Sequence, residues 1–418
     1  MRVALVTTRY SWTFQPETAI ASSAPTAAGG LIFSCGDDGK VRAIDANTGA
    51  PQWSFTTSGP IMRPPTIWNG RAYVGSGDGY VYALEACSGK LLWRFRAAPV
   101  ERRIMLYDAL CSSWPVNTGV LVDDGTAYAA AGIIDYDGTY VYALDALTGK
   151  VKWRNNTSGH LDKALRKGVS AQGGLIVMKD RLWMPGGNVI SPAAYDLKTG
   201  ECVTRAVGDG SAKANRGEEI GILNDDLMIY GGRLEYSALE DVVNPEMFFV
   251  SKVESEGLKH SILLSVGMIP PAWSSESIVF ANGPKTVPVC VDFAAFEEHV
   301  TKYGSKNLPE QFRSLAALKK RWVANALEKN DTVSFAIAAN AVIAVHETPQ
   351  PGSRFSRWGV SALDPKNGTV IWKRDVPSAA LPGGLLIDRD GRVIVTLQNG
   401  GIACLGKPSE TSRAGGVL

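Results

Sequence analysis

The sequence predicts an all-β protein with the architecture of an eight-bladed β-propeller, and the prediction starts from a repeated unit. The unit has the pattern Ala-x-Asp-x-x-Thr-Gly-x-x-x-Trp, first seen in residues 43–53. Its acidic position recurs at Asp45, Glu85, Asp145 and Asp196, at separations of 40, 60 and 51 residues. Several short strands per repeat at this period are typical of propeller blades.

Each copy of the unit indicates a strand, a tight turn and a second strand. The run before the acidic residue alternates apolar and polar positions, as a half-buried strand does. Asp and Asn side chains can bond their own backbone in the turn that follows, and Gly accepts positive φ there. The further copies span residues 83–93, 143–153, 194–200, where the Trp is missing, and 362–372.

The unit resembles the tryptophan-docking motif of the PQQ-binding-like (quinoprotein-type) propeller repeat family, which includes quinoprotein alcohol dehydrogenase-like and BamB-like propellers. The resemblance implies that each indole stacks on the Gly-containing turn of a neighbouring blade. We therefore predict a structural role for Trp53, Trp93, Trp153 and Trp372. It indicates the fold and not the chemistry, because one fold carries many functions.

The two ends of the repeat region complete one another. Trp12 lies on a strand that matches the one around Trp53, but no inner strands precede it, and the last unit has inner strands with no Trp strand after them. We therefore predict that residues 9–15 close the ring, which removes exposed edges. Seven blades is the alternative, because the fifth and sixth units are divergent. The predicted blades span 18–56, 57–97, 112–156, 168–207, 217–261, 267–330, 331–376 and 379–406 with 9–15.

The sixth unit departs from the repeat. A helical insertion is predicted at about 292–328, with Leu315, Leu318, Trp322 and Leu327 on one apolar face. We expect it to cap one rim, and a helix pair that docks a partner is the alternative. Residues 1–406 are predicted to form a single domain, and the Ser-, Gly- and Arg-rich residues 407–418 a disordered tail.

Composition excludes some classes of function and leaves the compartment open. With 43 basic and 41 acidic residues, the balanced charge gives no case for binding nucleic acid. No apolar run is long enough to span a membrane, and we expect a monomer. The N-terminal residues are too quickly polar for a secretory signal, whereas the resemblance implies a periplasmic or secreted protein. The six cysteines show no Cys-x-x-Cys spacing and are predicted to be single thiols.

The candidate ligand site lies where the innermost strands begin, because these positions converge on the axis of a propeller. Arginine suits carboxylate, sulfate or phosphate, and tryptophan offers a flat face to a sugar ring. We predict a binding module or scaffold with a central pocket for an anionic small molecule or glycan, or for a protein segment. The predicted ligand-binding residues are Arg63, Arg102, Trp114, His160, Arg166, Arg216, Glu218 and Trp273.

Two enzymatic alternatives use the same pocket. The first is a carbohydrate-active lyase or hydrolase, in which arginines neutralise a uronate and His or Tyr moves a proton. The second is a quinone-dependent dehydrogenase, for which the resemblance implies PQQ with calcium held by Glu, Asn and Asp beneath a pair of adjacent cysteines. The chain has no adjacent cysteines, so this cofactor is not favoured. No metal site is predicted, and no catalytic residue is assigned.

Overall fold

Each repeat folds into a small antiparallel sheet because apolar and polar residues alternate along its strands, and because Asp, Asn and Gly occupy the positions where the chain reverses. In the first repeat, Lys40–Asp45 pairs antiparallel with both Leu31–Cys35 and Pro51–Thr56. The computed structural model of this protein describes a set of ranges within the chain. They are residues 3, 9–106, 109–161, 168–185, 190–204, 217–232, 247–254, 257–266, 269–282, 287–303 and 318–406.

Blades 1 to 4 come from the first half of the chain, and a two-stranded hairpin separates blades 2 and 3. Blade 4 has three strands, with a single bridge from Tyr195 to Cys202 in place of the fourth. The strands are β2 (Thr26–Ala28), β3 (Leu31–Cys35), β4 (Lys40–Asp45) and β5 (Pro51–Thr56) in blade 1; β6 (Thr66–Trp68), β7 (Arg71–Gly75), β8 (Tyr80–Glu85) and β9 (Leu91–Arg96) in blade 2; β10 (Arg103–Leu106) and β11 (Ala109–Ser112) in the hairpin; β12 (Leu121–Asp123), β13 (Thr126–Ala131), β14 (Tyr140–Asp145) and β15 (Val151–Asn155) in blade 3; β16 (Ile176–Met178), β17 (Arg181–Met184) and β18 (Ala193–Asp196) in blade 4.

Blades 5 to 8 complete the ring, which confirms the predicted eight blades. Blade 8 combines three C-terminal strands with β1 (Arg9–Phe14), and Trp12 is paired with Cys404 as the closure prediction requires. The remaining strands are β19 (Glu219–Ile222), β20 (Leu227–Gly232), β21 (Met247–Glu254) and β22 (Gly257–Val266) in blade 5; β23 (Ala272–Trp273), β24 (Ser277–Asn282), β25 (Val287–Asp292) and β26 (Lys320–Val323) in blade 6; β27 (Asp331–Ala338), β28 (Ala341–Thr348), β29 (Arg357–Leu363) and β30 (Val370–Asp375) in blade 7; β31 (Ala380–Ile387), β32 (Val393–Leu397) and β33 (Ile402–Gly406) in blade 8.

The direction of the strands sorts the connections between two faces of the ring. First strands of neighbouring blades contact one another, so they lie closest to the axis. Since the strands are antiparallel, the loops that cross between blades share one face with the turns that join second to third strands. We call it the crossover face. The turns that join third to fourth strands, which include Gly49 and Gly89, lie on the opposite face.

Five indoles fix successive blades to one another. In each case the ring lies against a Gly turn of the next blade, so close that a Cβ on that Gly would lie 2.4–2.8 Å from a ring atom. The indole Nε1–H donates to the carbonyl three residues before that Gly, at 2.7–3.1 Å. The pairs are Trp12 on Gly49, Trp53 on Gly89, Trp93 on Gly149, Trp153 on Gly200 and Trp322 on Gly368.

Trp372 differs from the other predicted docking residues. It is buried in the cluster between blades 7 and 8, but its Nε1 finds no acceptor among the described residues. Residues 407–418, the predicted tail, lie outside the described ranges. Val3 packs into the same cluster, and its backbone N–H and carbonyl both bond the side chain of Asn340 at 2.8 Å.

The predicted helical insertion is partly wrong. A helix, α1, does occupy Phe293–Tyr303 and buries Phe296 and Val300 against blades 5 and 6. No other α-helix occurs in the described ranges, and none there is long and apolar enough to span a membrane. Lys320–Val323, however, is the outer strand of blade 6, and Asn325–Leu327 is a 3₁₀ turn. The docking of Trp322 on the next blade explains why this segment is extended. Leu315 lies outside the described ranges.

A buried histidine joins the strands of blade 7. His346 is completely buried. Its Nδ1 lies 3.1 Å from the amide nitrogen of Asn330, and its Nε2 lies 2.8 Å from the hydroxyl of Ser361. Because an amide nitrogen donates, Nδ1 accepts, and Nε2 carries the proton and donates to Ser361. The ring is therefore neutral, and burial, with the nearby charge of Lys373, lowers its pKa to about 4.

Docking can be tested with a matched pair of glycines in blade 2. Gly89 has φ +73° and a Cβ there would meet Trp53 at 2.5 Å, whereas Gly70 has φ +71° with nothing within 4 Å. Both Ala substitutions carry a similar backbone strain of about 1–2 kcal/mol. Gly89→Ala should cost about 1–3 kcal/mol more, because it also displaces the indole. Urea unfolding measures the difference, and equal losses would mean that the contact contributes little.

The buried imidazole predicts a specific pH dependence. Between pH 6.5 and 4 the unfolded chain takes up a proton at His346 that the folded protein does not. The free energy of unfolding should therefore fall by about 3 kcal/mol as pH falls through this window. His346→Gln removes this pH-dependent contribution. The difference in the free energy of unfolding between the parent protein and the variant should therefore fall by about 3 kcal/mol from pH 7 to pH 4. Parallel pH profiles in denaturant titrations would contradict the assignment.

Candidate functional site

The side chain of Arg63 spans the mouth of the channel on the crossover face. Its Nη1 donates to Glu219 Oε1 at 3.0 Å, and its Nη2 donates to the backbone carbonyl of Glu218 at 2.7 Å. The carboxylate of Glu218 lies 3.7 Å from Nη2. Arg63 belongs to the loop that enters blade 2, and both glutamates stand at the start of blade 5. The contact therefore joins blades that are three positions apart around the ring.

Glycines in the intervening loops make room for this side chain. A Cβ on Gly119, in the loop that enters blade 3, would lie 2.9 Å from the Cβ of Arg63. In the loop that enters blade 4, the N–H of Gly174 donates to the same Glu218 carbonyl at 2.8 Å. Four successive crossover loops thus converge on the Arg63 side chain and the Glu218 carbonyl.

The described charges at this mouth are one guanidinium and two carboxylates. The side chains of Arg63, Glu218 and Glu219 are 18%, 17% and 47% exposed, respectively. Two carboxylates therefore surround one guanidinium, which leaves an excess of negative charge among the described residues. An anionic ligand would have to compete with Glu219 for the only arginine that this group contains. The predicted Arg63 and Glu218 do come together, but as partners of each other.

Arg102 and Trp114 are in contact with each other. The guanidinium of Arg102 lies over the indole of Trp114 at 4.5 Å, and its Nε donates to Ser113 Oγ at 2.7 Å. The indole is 7% exposed and donates to the carbonyl of Asp137 at 2.8 Å. Backbone bonds from Ser113 to Arg102 and from Ser112 to Gly77 add to this anchor. Together these contacts fasten the hairpin β10–β11 to blades 2 and 3.

Of the other predicted ligand residues, the structure describes Trp273 and His160. Trp273 packs against Gly221 of blade 5 and donates to the carbonyl of Ile222 at 2.9 Å, so it joins two blades. His160 is exposed at the end of a 3₁₀ turn, Ser158–His160. Arg166 and Arg216 lie outside the described ranges.

Among the residues that the structure describes, those at the mouth do not fit the quinone cofactor with calcium that the resemblance implies. Glu218 and Glu219, the carboxylates that stand there, are both close to Arg63. In the part of the chain that the structure describes, no three His, Cys, Asp or Glu side chains are grouped so that they could hold a metal ion.

The hairpin is a feature that the sequence analysis missed. Its apolar side chains are exposed: Ile104 by 38%, Met105 by 69% and Leu110 by 51%, and Val100 in the loop before the hairpin is 52% exposed. It forms a separate two-stranded sheet, in which Met105 is paired with Leu110. The signal was an apolar run inside a connection between blades, where polar residues are usual.

The chain is similar to known proteins that are built from propeller repeats. A family model described as outer membrane protein assembly factor BamB matches residues 3–106 and 105–246. The chain belongs to this family of PQQ-like propeller repeats. Within it, the quinone alcohol dehydrogenase subunit of Gluconobacter oxydans is 28% identical over 45% of this chain, a match that covers 27% of that relative. An outer membrane protein assembly factor BamB from Nitrosomonas eutropha is 27% identical over 37% of the chain and 33% of its own length.

Solved structures share the fold of this family. The quinohemoprotein alcohol dehydrogenase of Comamonas testosteroni superposes with a TM-score of 0.57 at 14% identity, over 96% of this chain and 77% of that one. The computationally designed Ika8 protein gives a TM-score of 0.60 at 11% identity, over 96% and 100%. At such identities these likenesses show the propeller fold alone. The chain spans about a quarter of the length of the curated dehydrogenases that it matches.

The bridge across the mouth can be measured by a double-mutant cycle. Arg63→Ala and Glu219→Ala should show a coupling of about 0.5–1 kcal/mol at low salt, because both groups are partly exposed. About 1 M NaCl should reduce it by screening. The more exposed pair Lys179 and Asp226 is the matched control and should couple less. Additive single-variant losses at low salt would show that the two side chains do not interact in solution.

Proposed function

We propose that this chain is a binding module that holds a protein partner, and that the hairpin β10–β11 is its recognition element. The observation that carries the proposal is the exposure of Met105 and Leu110, which are cross-strand neighbours on one face of an anchored projection. Neighbouring exposed apolar side chains are a feature of interaction sites, whereas single scattered apolar residues need no explanation. The rest of the propeller then serves as the rigid support.

The anchoring of the hairpin strengthens this proposal. A two-stranded hairpin is marginally stable in water on its own, so the stack of Arg102 on Trp114 and the bonds at Ser112 and Ser113 are what hold it in place. A fixed projection loses little conformational freedom when a partner binds, which favours affinity. Within the described ranges its two strands pair only with each other, so an extended segment of another protein could add to either edge by backbone hydrogen bonding.

The relatives support a protein partner as well. The Nitrosomonas eutropha relative is named an outer membrane protein assembly factor, and that name implies work on other proteins. A central site for an anionic small molecule or glycan has less support, because Arg63 is already bound to Glu218 and Glu219. The names of several relatives favour a dehydrogenase function. The carboxylates at the mouth do not favour it, because both lie close to Arg63.

A photo-crosslinking side chain placed at Met105 of the native full-length protein tests this proposal in the host cell. We expect one discrete adduct, which mass spectrometry identifies as a protein. The same side chain at Lys366, in an exposed turn on the opposite face, should give none. Met105→Asp with Leu110→Asp should reduce partner binding at least tenfold, about 1.4 kcal/mol, and leave the melting temperature nearly unchanged, because both positions are exposed.

Two results would contradict the proposal. One is a folded protein that gives no adduct at Met105 under conditions in which the probe is photoactive. The other is a set of adducts that is the same at Met105 and at Lys366, since this would reflect collisions and not recognition by the hairpin.

A further inference from the structure

Aromatic rings fill the outer seam between neighbouring blades where the repeat is regular. Between blades 1 and 2, Phe55 of β5 meets Tyr82 of β8 edge-on, with ring centroids 5.8 Å apart at 60°. Between blades 2 and 3, Phe95 of β9 meets Tyr142 of β14 in the same way, at 5.0 Å and 72°. A second tyrosine stands two residues earlier on the third strand. In blade 2 this is Tyr80, whose ring centroid is 6.1 Å from that of Tyr82.

The seam between blades 8 and 1 has the same register and lacks the tyrosines. Phe14 follows Trp12 by two residues, as Phe55 follows Trp53, so the phenyl ring is present. The two tyrosine positions on β4 are instead Lys40 and Arg42. A cavity of about 350 Å³ lies here, and we call it the seam cavity. Its lining includes Phe14, Gln15, Glu17, Lys40, Arg42 and Trp53.

The charges of the seam cavity leave one cation outside any ion pair. Arg42 Nη1 donates to Asp38 Oδ1 at 3.2 Å. It thereby replaces the bond from the Tyr82 hydroxyl to Asp78 Oδ2, which measures 2.6 Å in blade 2. Lys40 is partly buried and forms no ion pair with any residue in the described ranges. Glu17 also lines the cavity, but its side chain is exposed, so water and salt screen its charge.

We propose that the seam cavity binds a small aromatic anion, a single six-membered ring that bears a carboxylate or a phosphate. The ring takes the place that the tyrosine of the sister seams occupies against the phenylalanine. The acidic group pairs with Lys40, with Arg42 nearby. The volume is within the range of small-molecule sites, and an edge-to-face contact with Phe14 is the geometry that the sister seams already display. This site is separate from the hairpin and does not depend on the proposed protein partner.

Phenyl phosphate added to the full chain is the first test. A ligand that binds only the folded state raises the melting temperature by mass action, and isothermal titration then gives the dissociation constant. Inorganic phosphate provides the charge without the ring, and benzyl alcohol provides the ring without the charge. We expect phenyl phosphate to bind at least about tenfold more tightly than either. 4-Hydroxyphenylacetate should bind as well, because the carboxylate can replace the phosphate.

The decisive variant copies the sister seams. Lys40→Tyr with Arg42→Tyr should fill the cavity and weaken phenyl phosphate binding at least about tenfold. The free protein should remain folded, because the hydroxyl introduced at position 42 can donate to Asp38 as Tyr82 donates to Asp78. Lys366→Tyr is the matched control, since it removes one positive charge from an exposed turn elsewhere, and it should bind as the parent does. Should the double variant not fold, Lys40→Met removes the charge alone and should still weaken binding.

Three outcomes would overturn this site. The first is the absence of binding by phenyl phosphate and 4-hydroxyphenylacetate to the folded protein at about 5 mM, where mass action would reveal a weak site. The second is binding of inorganic phosphate as tight as that of phenyl phosphate, which would mean that no ring is recognised. The third is unchanged binding in the filled variant. Met105→Asp with Leu110→Asp should leave binding intact, so failure here and failure of the hairpin proposal are distinguishable.

Discussion

The contact between an indole and the glycine turn of the next blade joins five pairs of adjacent blades, and the ring depends on it at those junctions. Each blade alone exposes two faces of a small sheet, and such a sheet is stable only when a neighbour covers it. The indole covers apolar surface and donates its one hydrogen bond to a turn carbonyl, so it fixes both the distance and the rotation between blades. Trp12 makes the same contact where the ring closes. It lies on the N-terminal strand β1, which completes the C-terminal blade 8, and it docks on blade 1.

This contact explains how much of the fold the sequence predicts. The receiving turn carries an acidic residue, a small polar residue and Gly at fixed spacing, so the copies align with one another, and the unmatched strand at each end predicts how the ring closes. Trp322 shows where that reasoning stopped short. The turn at Gly368 needs an indole from the preceding blade, and Trp322 supplies it. The neighbours of Trp322 in the sequence have high helix propensity, and this led to the prediction of a helix. Local propensity is a weak guide where tertiary packing decides the conformation.

The mouth of the channel could be located from the sequence but not described. Position along a repeat places Arg63 and Glu218 near the axis, because the start of every inner strand lies there. It cannot tell which long side chain reaches which partner, since that depends on the width of the channel and on the room left by Gly119 and Gly174. Arg102 and Trp114 illustrate the same limit. Their residue types predicted ligand binding. In the fold the guanidinium of Arg102 stacks on the indole of Trp114, and the pair anchors the hairpin.

The positions that depart from the repeat are therefore the ones that carry information about function. A regular seam needs Tyr, Phe, Gly and Trp for packing alone, and their presence says nothing about ligands. Lys40 and Arg42 replace the two tyrosines of their seam, and a cavity lies where the sister seams hold aromatic rings. Ile104 and Met105 likewise add nothing to the ring, because they lie outside the apolar cluster that joins blades 2 and 3. A repeat thus provides its own internal reference, against which a binding surface can be recognised as the place where packing has been given up.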